Sequence, residues 1–75
     1  MKASITVNGN KYDVQYNAAN GLHGFDSRDD FYHVYIENER AIERAISRAE
    51  EDDSYKHELI TKSGVKISVE LFPSN

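Results

Sequence analysis

The chain has 75 residues, 13 acidic against 9 basic side chains, one methionine, and neither cysteine nor tryptophan. At this length folding buries only about 60% of the unfolded chain's surface, which allows one small core and argues against a deep, enclosed active-site cavity. The absence of cysteine excludes a disulfide framework, a thiolate nucleophile and cysteine-ligated zinc. Apolar runs of two or three residues leave no spanning helix or signal peptide, so a single cytoplasmic domain over residues 1–75 is expected.

Residues 1–17 read as a β-hairpin. Asn8-Gly9 suits a two-residue turn in which both central residues take positive φ. Closing the chain there pairs Ile5 with Tyr12, Ala3 with Val14 and Met1 with Tyr16 on one face, leaving Ser4, Thr6, Lys11, Asp13 and Gln15 on the other. Residues 18–30 read as a long loop, pinned over one end of the core by Phe25.

Residues 31–36 (FYHVYI) fit two patterns. Their β-branched and aromatic density favours a strand. Phe31, Tyr35, Asn38, Ile42, Ala45 and Ala49 also fall at helical spacing, with Ser27 as a cap for a helix starting at Arg28 and Asp30 closing a capping box. The strand is the preferred reading, with a fresh helix start at Asn38. Residues 39–50 are helical on either view, with an apolar stripe of Ala41, Ile42, Ala45, Ile46 and Ala49.

A second hairpin spans residues 55–72. A three-residue loop, Lys62-Ser63-Gly64 with Gly64 left-handed, pairs Tyr55 with Leu71, His57 with Val69 and Leu59 with Ile67. Pro73 ends the strand, and a loose tail is expected after it. The expected fold is α+β: an antiparallel sheet of two hairpins plus a central strand, covered by one helix, in the order ββ(β)αββ.

Charge is unevenly distributed. Residues 26–58 hold eleven acids and five bases, while the rest of the chain holds two acids and four bases. Phosphate binding needs the opposite sign, so direct nucleic-acid binding is not expected.

Chemistry-bearing patterns are sparse. The three histidines lack metal-ligand spacing, and His57 reads as a core-edge residue. His23, Asp26 and Ser27 share one loop with no rigid shell around it. Asp52-Asp53 with Glu58 lacks the alternating ligands and central glycine of a calcium loop. No enzyme activity, metal or cofactor is expected.

The run Glu50, Glu51, Asp52 and Asp53 stands out because it closes a helix at the end where the macrodipole is already negative. Each exposed anion there costs about 0.3–1 kcal/mol at low salt. The plain alternative is a solvated helix end. The sharper reading is a surface kept for a basic partner. Asp26, Asp29 and Asp30 form a second acidic cluster, followed by Tyr32 and Tyr35 as candidate contact anchors. Ile60 and Phe72 point away from the helix-packed face. Arg40, Arg44 and Arg48 form a row at i, i+4 and i+8, read as an exposed face or as a ridge that grips carboxylates or phosphates.

The acidic α+β composition and the order of elements, with DDFYHVYI running into NERAIERAISRAEEDD and then a hairpin, resemble small phage-encoded inhibitors such as anti-CRISPR and other DNA-mimic proteins. The likeness covers residues 29–62 and carries no signature residue. It implies a stoichiometric blocker of a larger basic protein or nucleoprotein complex, with no membrane partner. The alternative is a small accessory subunit that forms a homodimer through strand edges and exposed tyrosines.

Overall fold

The computed structural model describes residues 1–73, so the tail expected to be loose at Ser74 and Asn75 lies outside the described residues. Seven elements follow in chain order: β1 (Lys2–Val7), β2 (Asn10–Asn17), β3 (Gly21–His23), α1 (Asp30–Glu37), α2 (Glu39–Glu51), β4 (Lys56–Ile60) and β5 (Lys66–Phe72). The five strands form one antiparallel sheet in the order β3-β2-β1-β5-β4.

Both hairpins close where their turn residues dictate. Asn8 and Gly9 take φ of 48° and 88°, and Gly64 takes 90°. Ala3 pairs with Val14, Ile5 with Tyr12, His57 with Val69 and Leu59 with Ile67. The first and last strands then meet at the sheet centre, where Ala3 pairs with Leu71, Ile5 with Val69 and Val7 with Ile67.

That central pairing overturns the strand expected over 31–36. The sheet has no slot left between its hairpins, and the segment folds as α1 instead. The order is therefore βββααββ, and two helices replace the single one expected. Asp30 lies in the first turn, where the helix dipole favours an anion. The helix begins at Asp30, later than the alternative start at Arg28; Asp29 is its N-cap, and its side chain makes no cap bond. Phe31, Val34 and Tyr35, at i, i+3 and i+4, then turn toward the core. Tertiary occupancy outweighs β-propensity here.

At Asn38 the chain breaks and restarts as α2. The Asn38 side-chain amide does not cap the new helix; it donates back to the Val34 carbonyl at 3.0 Å. Ile42, Ala45, Ile46 and Ala49 are buried, and α2 packs over β5 and β4. The small alanines let the helix approach the sheet closely. Over the other half of the sheet the cover is aromatic: Phe31 stacks on Tyr12, Phe25 and Tyr35 with ring centroids 5.0–5.8 Å apart. Phe25 thus docks as expected.

The loop over 18–30 contains one element that its sequence did not announce, the three-residue edge strand β3. It pairs Leu22 with Tyr16 and is bounded by Gly21 and Gly24 at positive φ. The opposite sheet face carries Ser4, Thr6 and Ser68 between charged neighbours, and among the described residues no helix covers it. Among the described residues no helix is long and apolar enough to cross a membrane.

Candidate protein-binding surface

The two acidic clusters occupy opposite ends of the α1–α2 unit. Asp26, Asp29 and Asp30 precede α1; Glu50, Glu51, Asp52 and Asp53 end α2 and begin the turn into β4. Both clusters are tied to β2. Phe31, next to Asp30, packs on Tyr12, and Glu50 accepts a 2.7 Å hydrogen bond from the Tyr16 hydroxyl. The anchors lie four positions apart, about 13 Å along β2.

Several of these carboxylates are engaged within the fold. Asp26 binds the Arg28 guanidinium at 2.8 Å and accepts the Arg28 backbone N–H, while its own N–H donates to Asp29. The Arg28 side-chain bond is the main cause holding the Asp26 carboxyl below its ordinary range. Asp52 accepts both the hydroxyl and the backbone N–H of Ser54, and these lower its pKa in turn. These residues are turn-formers at the surface. Asp29 and Asp30 line a depression of about 600 Å³ with Lys11 and Phe25.

Asp30, Glu51 and Asp53 are different. All three are exposed, and none is in an ion pair among the described residues, although three arginines share α2. The pairs that do form are Arg28–Asp26, Lys56–Glu70 and Lys66–Glu58.

The tyrosines fall elsewhere than a strand would have put them. Tyr35 is half-buried, and its hydroxyl donates to Glu43 at 3.1 Å. Burial, followed by the charge of Glu43, raises it to about 12. It is a structural residue, not a free anchor. Tyr32 is half-buried with its ring edge-on to His33. Tyr16, unremarked in the sequence beyond its hairpin pairing, is also raised to about 12, by burial first and then by Glu50. Nothing local signals that contact, which spans 34 residues.

The histidines do not converge. His23 meets the Asn17 side-chain amide at 3.2 Å, while Asp26 is turned to Arg28. His57 is half-buried on the helix side of β4, opposite Val69. Among the described residues no group of three histidine or acidic side chains could hold a metal ion.

The arginine row has a setting that its spacing alone does not reveal. Arg40, Arg44 and Arg48 line a groove of about 640 Å³ between α2 and the edge strand β4, with Leu59, Ile60 and Lys62 opposite. Among the described residues no acidic side chain lines it. Comparison with family models, curated proteins and solved structures returned no match.

Proposed function

We propose that this protein is a non-enzymatic binding protein, one that blocks a larger basic, nucleic-acid-handling partner by occupying its phosphate-binding groove with carboxylates. The single observation that carries this reading is the exposed, unpaired state of Asp30, Glu51 and Asp53 on the helix side. Glu51 ends α2 and Asp53 stands just past its C-cap, where both oppose the dipole. Carboxylates held out on a small rigid body steer toward a basic groove, raising the association rate in a way that salt suppresses.

The test is affinity capture from the host lysate using wild type and the Glu51→Lys/Asp53→Lys double variant. Washes at low salt and at about 1 M salt, where the Debye length falls to about 3 Å, separate electrostatic from apolar retention. A nucleic-acid-handling protein held by wild type at low salt, and lost with the variant, supports the reading. Equal retention by both chains overturns it.

The alternative, an accessory subunit that forms a homodimer through strand edges and exposed tyrosines, is favoured by one feature: among the described residues the outer edge of β4 is unpaired, and its Ile60 is 69% exposed. Light scattering separates the two, since a salt-insensitive dimer belongs to the alternative alone.

A further inference from the structure

The acids of α2 account for one end of the helix and leave its arginine flank without a role. We propose that this flank and the outer edge of β4 form a docking groove for an extended acidic peptide of a partner protein, which joins the sheet as a sixth strand. The inference concerns a different surface from the acidic one and does not depend on it.

Backbone geometry supplies the first half of the argument. Leu71 donates its N–H to the Tyr55 carbonyl, and Thr61 donates to the Val65 carbonyl, each at 2.9 Å. Hydrogen-bonded and non-bonded pairs alternate along an antiparallel ladder, so Tyr55, His57, Leu59 and Thr61 turn their backbone groups toward β5. Lys56, Glu58 and Ile60 therefore present theirs outward. Such a row is a template for an added strand.

Charge supplies the second half and selects the occupant. Side chains on one face of an added strand recur about every 6.6–6.8 Å. Arg40, Arg44 and Arg48 recur every four helical residues, a rise of about 6 Å. Carboxylates at alternate positions of the peptide would thus meet the arginines nearly in step, with Leu59 beneath. None of the three arginines has an intramolecular ion pair among the described residues. The same charges oppose a second copy. In a symmetric antiparallel β4–β4 pairing the twofold axis is perpendicular to the sheet, so the two arginine rows would lie on one side facing each other.

The experiment uses a labelled peptide of about nine residues, an ordinary strand length, with glutamate at alternate positions and valine or threonine between them. Saturable binding is expected, with amide shifts centred on Lys56, Glu58 and Ile60. Arg44→Glu, an exposed change, is expected to weaken binding by about tenfold or more. N-methylation of the peptide's alternate amides should abolish binding, and Glu51→Lys in the protein should not weaken it, which keeps this result separate from the acidic face. No saturable binding overturns the proposal, as does equal affinity for Arg44→Glu. So do retained binding of the N-methylated peptide, equal binding of an oligonucleotide of the same length, and dimerisation through β4.

Discussion

The arginine flank of α2 and its acidic C-terminal end are made from the same thirteen residues and the turn that follows, yet they obey different rules. The flank is in accord with helix electrostatics: Arg48 lies in the last turn, where the dipole favours a cation. The end opposes it. Within that end a further division appears, because Glu50 is held by Tyr16 and Asp52 by Ser54, whereas Glu51 and Asp53 have no ion pair among the described residues. A count of charges in a sequence thus overstates the charge available for docking. Free charge is what remains after turns and hydroxyls have taken their share. By that measure the acidic end offers two side chains from α2 and its turn, and the flank offers three.

The strongest way to break the comparison is to remove what the two surfaces share. Ile46 is buried under α2 at 2% exposure, and Ile46→Ala is expected to cost about 2–5 kcal/mol. For a domain whose whole stability is on the order of 5–15 kcal/mol, that is a large fraction. Urea unfolding should show the loss, and both the acidic face and the peptide groove should weaken together. Survival of either one would mean that it does not depend on a docked α2.

A smaller effect separates the held acid from the free one. Tyr16→Phe removes the hydroxyl that binds Glu50, with an expected loss of about 1 kcal/mol near neutral pH. It also changes the alkaline limb. Tyr16 and Tyr35 both keep their protons up to about 12 in the fold, whereas the unfolded chain releases them near 10.0. Across that window the folded state binds more protons, so their stabilisation is complete below pH 10.0 and is lost as pH rises toward 12. Tyr16→Phe should flatten the fall in denaturation midpoint by roughly half, since one of two similar groups is removed. Glu51→Lys should leave the acid-to-hydroxyl contact intact and the slope largely unchanged.

The hairpins were readable because local chemistry and face pattern agree. Asn8-Gly9 and Gly64 set turn lengths, and a one-residue slip would place Glu58 against Val69. The stripe from Ala41 to Ala49 was readable for the same reason. Residues 31–36 were not, since FYHVYI satisfies both periods; what decides between them is the pairing of β1 with β5, a contact between the two ends of the chain. The strand at Gly21–His23 is too short to show any period. At the candidate site, the acids and the arginine row could be named from spacing alone. Which acids are held depends on Tyr16 reaching Glu50 and on Ser54 folding back onto Asp52. That the arginines overlook an open strand edge depends on where α2 lies across the sheet.

The finest test places opposite charge changes on the two regions of α2. Glu51→Lys replaces an anion at the negative end of the dipole with a cation and should stabilise the fold by about 0.3–1 kcal/mol at low salt. Arg48→Glu does the reverse and should destabilise it by a similar amount. Both shifts should shrink toward zero at about 1 M salt, because exposed charges are then screened within about 3 Å. Their binding effects should not mirror their stability effects. Glu51→Lys should weaken a basic partner while leaving the peptide groove competent, and Arg48→Glu should do the opposite. If each variant altered both interactions in proportion to its change in stability, the two surfaces would be one property of α2, its degree of order, and the distinction between flank and end would have no functional content.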